Sequence, residues 1–514
     1  MMVLKLILSF LLGSSLVLAF EPFNFWFLSF FSPIFAFYLI VKADLKQSIL
    51  IGWFFGFGLW VNGIFWIENS IHDYGGANII SSYLLTVILA SFLALFFALI
   101  FFIFTLIKQN NSFDLIFLFP SIWVLGEWLR EFLLSGFPWL YIGYTALDNY
   151  FISGLIPVLG VFGMSFIILF ISANTLFLVS NFKTIHSKKI LIPSTLSLIL
   201  IFSSSIFFFE KEWTKEFKEI EVVVVQPNIS IEEKWGKNGE QDALKLFKSK
   251  LLGESGRIFK EQKNQKLIFW PEAFLPGIFS GYKKTLSPFL SFAKKAEIGV
   301  IVGTLSNSQE NSNEIQNSLI SFGILNGQFD KQKLVPFGEY VPHKIFNYFF
   351  NFFSLNRPNI TPSENNKLIE SAEIIISSAI CYEIAYQDIY LKHSKSSNLL
   401  FNASNDNWFG DSIGPHQHLQ ISRYRAAEHR KPLIRSTSTG ISAVIDIYGN
   451  IVESLPIDEM PIGFYNPETI ETNIVLRKGQ TPFALIGKLP FIVLIFLVIL
   501  ICIYQKIFIN NEKN

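Results

Sequence analysis

The sequence predicts a polytopic α-helical membrane bundle of about eight spans joined to one extracytoplasmic α/β domain. Three observations predict it. The 514-residue chain is 51% hydrophobic and holds 57 phenylalanines, with a mean hydropathy of +0.42, too apolar for a soluble protein of this length. Its first 210 or so residues pass from one apolar run to the next, each near the roughly 20 residues that cross a bilayer as a helix. Its middle has another texture, in which short β-rich runs alternate with polar helical ones, as in an α/β domain.

In chain order, spans are expected near 3–20, 23–41, 48–67, 80–107, 114–134, 152–180 and 190–209, with an eighth near 485–508. The first begins with Lys5 and has the length of a secretory signal. Phe20-Glu21-Pro22-Phe23 offers no small-residue cleavage site, so the run is read as an anchor. Lys5, Lys42, Lys46, Lys108, Lys183, Lys188, Lys189, Lys506 and Lys513 all fall on one side of an eight-span arrangement. The opposite short loops hold Glu21, Glu68 and Asp73, with Arg130 as their strong base. Positive-inside bias then puts both termini in the cytoplasm and the long middle stretch outside. The expected domains are a transmembrane bundle over 1–212, an outer domain over 213–478, and a final span with a cytoplasmic tail over 479–514. Glu127, Arg130 and Glu131, followed by Phe137-Pro138-Trp139, end the fifth span. Charges at membrane depth are paired or functional; an interfacial Trp belt with a Glu–Arg pair accounts for them equally well.

In the outer domain, strands are expected at 220–226, 266–270, 298–304, 317–325, 373–380, 397–402 and 441–446. Helices are expected at 239–262, 284–295 and 417–430, and a polar loop at 305–316. Lys and Arg number 41 against 40 Asp and Glu, a net charge of +1, so there is no basic footprint for nucleic acid. The two cysteines make no disulfide framework; Cys502 lies in an apolar run, whereas Cys381 ends a strand.

Three strand ends carry reactive side chains. Ile374, Ile375 and Ile376 lead through small residues to Ile380 and then Cys381; a rigid strand that stops at a thiol is a way to deliver a nucleophile. The same residue also reads as a small buried hydrophobe, as most free cysteines do. The run KLIFW ends in Pro271-Glu272, and the region 317–334 carries Lys331 ahead of Glu339. Catalytic groups of α/β folds gather at such ends. A thiol needs a base, a carboxylate serves if burial raises its affinity for protons, and an ammonium can hold the oxyanion of an attacked carbonyl. Glu, Lys and Cys therefore suffice for acyl transfer through a thioester, although a lone Glu or Lys is more often a solvated surface group.

WPEAFLPG at 270–277, DKQKLVPFGEYVP at 330–342 and ICYEIAYQD at 380–388 resemble the Glu-Lys-Cys motifs of the nitrilase (carbon–nitrogen hydrolase) superfamily. GFPW at 136–139 and SNDNWFGDSIGPHQHLQISRYRAAEHRKPLIRSTSTGISAVID at 404–446 narrow the resemblance to the apolipoprotein N-acyltransferase family, over nearly the whole chain. The resemblance implies a nitrilase-like α-β-β-α sandwich, with Glu272 as base, Lys331 as the lysine and Cys381 as nucleophile. It implies supporting roles for Glu339, Tyr382, Glu383 and Trp235, the last following Lys234. The implied reaction takes an acyl chain from a phospholipid, typically phosphatidylethanolamine, onto the cysteine as a thioester. The chain then passes to the α-amino group of an S-diacylglyceryl-cysteine lipoprotein. The implied location is the inner membrane of bacteria with two membranes, catalytic domain in the periplasm, and no cofactor is implied. One departure stands out: Gln226-Pro227-Asn228 replaces an expected Gln-Gly-Asn. Pro227 fixes φ and removes an N–H, which leaves the placement of Trp235 open.

Lipid substrates call for a site at the membrane surface with an apolar entrance that excludes water. The segment 345–355, with Phe346, Phe349, Phe350, Phe352 and Phe353, is either such an entrance arm or a buried helix. Trp408-Phe409-Gly410 is either a second piece of the entrance or a turn with an aromatic plug. His416 and His418 stand two apart, on different faces of a helix, and suggest no metal. No glycine-rich cradle or Walker lysine points to a nucleotide. A membrane-anchored amidase or nitrilase would share the triad, and a transporter with a ligand-binding outer domain would need none of it.

Overall fold

The computed structural model describes residues 2–109, 113–133, 136–181, 188–261, 265–308, 314–343, 348, 360–364, 367–455 and 467–509. The chain divides into two compact units, Met1–Asp73 with Ala77–Lys211 and Ile486–Asn514, and Tyr74–Gly76 with Glu212–Leu485.

The first unit is helical. Each of the eight apolar runs overlaps a helix: Met2–Val17, Leu28–Val41, Leu45–Gly63, Ile79–Ile107, Phe119–Leu129, Ile156–Asn181, Lys188–Glu210 and Leu489–Tyr504. Among the described residues, four stretches are long and apolar enough to cross a membrane: Ile79–Ile107, Ser153–Val179, Ile192–Glu210 and Leu489–Ile507. Leu45–Gly63 and Ile67–Tyr74, bent by 62°, make a fifth if they count as one span. Helices Met2–Val17 and Leu45–Gly63 pack backbone to backbone, because a Cβ on Gly13 or Gly58 would strike the carbonyls of Phe55 and Phe10; such small residues let helices associate in lipid. The three charges near residue 130 are all buried. Glu127 Oε1 accepts from Ile142 N at 2.9 Å and Trp123 Nε1 at 3.2 Å. Arg130 donates to Trp139 O at 3.0 Å and lies over the Trp60 and Tyr141 rings. Glu131 pairs with Lys488 at 2.8 Å.

The second unit is built on two sheets. The first contains β1 (Thr214–Gln226), β2 (Lys266–Phe269), β3 (Leu275–Ile278), β4 (Ile298–Asn307), β5 (Ile315–Gly323), β6 (Gln328–Asp330) and β13 (Glu468–Gly479). The second contains β7 (Ile369–Glu370), β8 (Ile375–Ile380), β9 (Leu399–Ser404), β10 (Leu433–Thr437), β11 (Ala443–Ile445) and β12 (Ile451–Ser454). Their orders are β13-β1-β2-β4-β5-β6, with β3 beside β4, and β12-β11-β10-β9-β8-β7. The central pairs β1–β2, β2–β4, β8–β9 and β9–β10 are parallel. Val222 to Val225 run apolar without alternation because both faces are covered. On the outer face, Phe247, Leu251 and Leu286, from helices Gly239–Glu261 and Lys283–Lys295, meet Val223, Ile268 and Val300. On the inner face Phe269 meets Phe401 of the second sheet at 4.8 Å, and Ser436 Oγ donates to Val225 O at 2.9 Å. Helix Gly414–His429 packs against the second sheet, completing an α-β-β-α order.

The seven expected strands all occur, with ends shifted by a few residues. The sequence did not announce β3, β6, β7, β10, β12 or β13. In β13 the buried Ile470, Ile474 and Leu476 alternate with exposed residues, the mark of a half-covered edge strand. In β10 the buried Arg435, Ser436 and Thr437 look like a surface turn in composition.

Candidate active site

Glu272 sits just past β2. Trp270 N still pairs with Ile301 O at 2.9 Å, Pro271 ends the ladder, and β4 passes so close that a Cβ on Gly303 would meet the Pro271 carbonyl and the Glu272 backbone. Lys331 follows β6, its N–H bound to Asn317 O at 2.8 Å. Both side chains are buried. Lys331 Nζ lies 3.1 Å from Glu272 Oε1 and 2.7 Å from Glu339 Oε1. Asn317 Nδ2 also donates to Glu272 Oε1, at 2.7 Å, and Val335 N donates to Glu339 Oε2 at 2.8 Å. One oxygen of Glu272 is thus fully engaged, while Oε2 is buried and has no hydrogen-bond partner among the described residues. Burial alone would lower the Lys331 ammonium, but Glu272 and Glu339 hold it well above its ordinary value.

Cys381 comes directly after β8, with φ at 53°, a left-handed backbone that strains a residue with a side chain. Its thiol is buried, and lies near enough to Glu272 and Lys331 to feel both charges. Burial, then the charge of Glu272, push the thiol up to about 12 against the pull of Lys331. The resting sulfur is therefore a thiol, and its proton has to move during attack. The ultraviolet absorbance difference between wild type and Cys381→Ser should accordingly contain no thiolate band at neutral pH; a band there would mean a standing thiolate.

Glu383 ties the cysteine turn to the lysine loop. Its Oε2 accepts from Ile380 N at 2.8 Å, and its Oε1 from Gln332 N at 2.6 Å and Lys333 N at 2.9 Å. Burial pushes its carboxyl up to about 7 against those donors. In Glu383→Gln an amide NH2 replaces one acceptor and leaves buried N–H groups unmatched, at a cost of about 1–3 kcal/mol. The thermal midpoint of the purified variant should fall; an unchanged midpoint would refute the clamp.

The other expected residues are placed as follows. Tyr382 is buried, its ring edge-on to Tyr386 at 5.6 Å. Trp235 is 52% exposed, at the end of the short helix Ile231–Trp235 capped by Ser230. Pro227 is buried, and the loop takes its left-handed step at Asn228, which donates to Ser438 O at 2.9 Å. Phe409 is buried and edge-on to His418 at 5.6 Å. Trp408 is 38% exposed and stands 4.8 Å from Tyr74. Phe349 and Phe350, with Phe346, Phe352 and Phe353, lie outside the described residues. Lys234 was missed by sequence reasoning. It is buried, without a hydrogen-bond partner among the described residues, and burial lowers it to about 8 while Glu272 pulls it back. Its setting, Glu232-Glu233-Lys234, reads as a solvated helix face.

Two family models match: the apolipoprotein N-acyltransferase N-terminal domain over residues 12–174, and carbon-nitrogen hydrolase over residues 224–464. The apolipoprotein N-acyltransferase of Haemophilus influenzae is 32% identical over 99% of this chain and 95% of its own length. That of Coxiella burnetii is 34% identical over 88% and 91%. The chain belongs to the apolipoprotein N-acyltransferase family. Among solved structures, a nitrilase-superfamily protein of Saccharomyces cerevisiae matches at 16% identity and a TM-score of 0.37, covering 52% of this chain and 92% of that one. As an apolipoprotein N-acyltransferase family member, the chain carries Glu272, Lys331 and Cys381 within the carbon-nitrogen hydrolase part. The separate N-terminal match is what distinguishes the family from a hydrolase of that class standing alone.

Proposed function

We propose that this apolipoprotein N-acyltransferase family member carries an acyl chain from a membrane phospholipid to a lipoprotein N-terminus through a thioester on Cys381. Glu272 Oε2 takes the thiol proton as sulfur attacks the ester carbonyl, and Lys331 with the backbone N–H of Tyr382 holds the oxyanion. The C–O bond breaks and the proton goes to the hydroxyl of the departing lysophospholipid. In the second half the α-amino nitrogen of the S-diacylglyceryl-cysteine attacks the thioester. The C–S bond breaks, and Glu272 relays the amine proton to sulfur. The observation that carries this assignment is the buried Oε2 of Glu272, without a hydrogen-bond partner among the described residues, on a carboxylate whose other oxygen lies 3.1 Å from the Lys331 ammonium and whose charge reaches the Cys381 thiol. Glu339 holds Lys331 in place, and Glu383 holds the cysteine turn.

Phosphatidylethanolamine is the proposed donor. Trp235 and Trp408, both partly open, are the proposed entrance together with Phe409 and the segment of Phe349 and Phe350. Eight crossings are proposed, with domains over 1–212, 213–478 and 479–514 and the catalytic domain in the periplasm of an inner-membrane protein. The one-sided lysines support that orientation.

Purified enzyme in phosphatidylethanolamine vesicles should gain one acyl mass on Cys381, and lose it to a diacylglyceryl lipopeptide with appearance of a third chain. An acyl-enzyme that releases only free fatty acid would favour a membrane-anchored hydrolase. In a variant stripped of native cysteines and carrying Glu453→Cys, on the exposed β12, an impermeant maleimide should label cells whose outer membrane is opened. Labelling only after lysis of the inner membrane would invert the topology.

A further inference from the structure

We propose that His418 is a positioning residue of the acyl-transfer site: as a neutral imidazole whose tautomer Arg435 selects, it fixes the Cys381–Tyr382 peptide. The inference rests on Cys381 being the nucleophile. The carbonyl oxygen of Cys381 accepts from His418 Nε2 at 3.2 Å and from Asn402 Nδ2 at 3.4 Å. His418 Nδ1 lies 3.1 Å from Arg435 Nη2 and 3.2 Å from Asp406 Oδ1. Arg435 Nη2 pairs with Asp406 Oδ2 at 2.6 Å, and Nη1 binds Asn402 Oδ1. All four side chains are buried.

The order Asp406, His418, Cys381 looks like a nucleophile triad, but the ring nitrogen meets the cysteine's carbonyl oxygen, which can only accept. Nε2 must therefore carry the proton. A neutral imidazole has one N–H, so Nδ1 presents its lone pair, and Arg435 is the donor aimed at it. Asp406 stays ionised, held at about 2 against burial chiefly by the Arg435 guanidinium. Burial and the guanidinium together push the imidazole down, in keeping with a neutral ring.

What this holds is a strained residue. The left-handed Cys381 is costly by about 1–3 kcal/mol and would relax by turning its flanking peptides. Glu383 pins the N–H of Ile380, one peptide upstream, and His418 and Asn402 pin the carbonyl of the peptide that follows Cys381. Because a trans peptide is planar, a fixed Cys381 C=O fixes the Tyr382 N–H in the opposite direction, and that N–H is the oxyanion donor proposed above.

The test uses full-length enzyme in phosphatidylethanolamine vesicles and measures acyl-enzyme formation by intact mass. His418→Phe should slow acylation about 100-fold, the effect of misplacing one oxyanion donor, with the lipid concentration at half-maximal rate unchanged. His418→Gln, which keeps an N–H near the Nε2 position, should recover to within about tenfold of wild type. In ¹⁵N-histidine NMR of the wild type, the His418 resonance, assigned by its loss in His418→Gln, should show a neutral ring protonated on Nε2; this holds even if His418→Phe fails to fold. Wild-type acylation by His418→Phe, a His418→Gln as impaired as His418→Phe, or a ring protonated on Nδ1 would each overturn the inference. Acyl transfer by Cys381→Ala would instead refute the nucleophile assignment beneath it.

Discussion

Cys381→Ala is expected to abolish acyl transfer, with a loss on the order of 10⁶-fold, the scale of removing a nucleophile that acts as a unit with its base. No acyl-enzyme should be detectable by intact mass, and a reporter lipoprotein should keep two chains. Glu272 and Lys331 would remain in place, but without the sulfur there is no nucleophile to carry the chain as a thioester. Cys381→Ser should be nearly as inactive. Burial and Glu272 already hold the thiol at about 12, and a hydroxyl, intrinsically much less acidic, would lie beyond the reach of the same carboxylate. Both variants should fold, since each changes a single atom or its hydrogens at a position whose clamps come from Glu383, His418 and Asn402. A reporter that carried three chains in cells holding only Cys381→Ala would remove Cys381 from the mechanism.

The parts of the site visible in the sequence are those that sit where a hydrophobic signal stops. Strands β2 and β8 are largely apolar and almost wholly buried, so the residues after them, Glu272 and Cys381, stand out, and family motifs mark Lys331. The supporting shell is hidden because burial reverses the usual meaning of its residues. Arg435 lies in a strand but reads as part of a basic turn, and His418 and Arg425 lie in a helix buried on all sides, Gly414–His429, whose polar composition suggests a solvent face. Asp406 and Asn402 are separated from Cys381 by more than 20 residues of chain and meet it only through the parallel pairing of β8, β9 and β10. Lys234 shows the same effect in reverse order: the family motif draws attention to Trp235, which is exposed, while the lysine before it turns inward toward the charge of Glu272. In the membrane half, apolar runs predict where helices form, but Pro120 at the start of Phe119–Leu129 and the bend after Leu45–Gly63 shorten or break them, so run length alone overstates how many are unbroken spans.

Lys331→Met should be the most damaging change that leaves the nucleophile intact, because one ammonium serves two carboxylates. It lies 3.1 Å from Glu272 and 2.7 Å from Glu339; it and Glu272 are buried, and Glu339 is half-buried. Breaking a buried ion pair from one side costs about 3–5 kcal/mol, unless a carboxylate takes up a proton. The two glutamates would then titrate as a coupled pair with one proton affinity strongly raised, so Glu272 would begin the reaction partly protonated. Base and oxyanion partner are lost together, and acylation should fall by at least about 10³-fold. The sign of the pH effect follows from the charges. In the wild type the ammonium, raised above 10.5 in the folded chain, contributes stability that is fully present below that value and is lost only at higher pH. In Lys331→Met the stabilising event is protonation of a carboxylate, so the variant's thermal midpoint should rise as pH falls from 8 toward 5, while its residual acylation should rise as pH increases. Lys331→Arg keeps the charge in a broader, planar group and should recover the midpoint with little of the activity. A Lys331→Met enzyme with wild-type acylation and an unmoved pH profile would mean that the ammonium neither neutralises Glu272 nor meets the oxyanion, since either duty alone is enough to shift one of the two measurements.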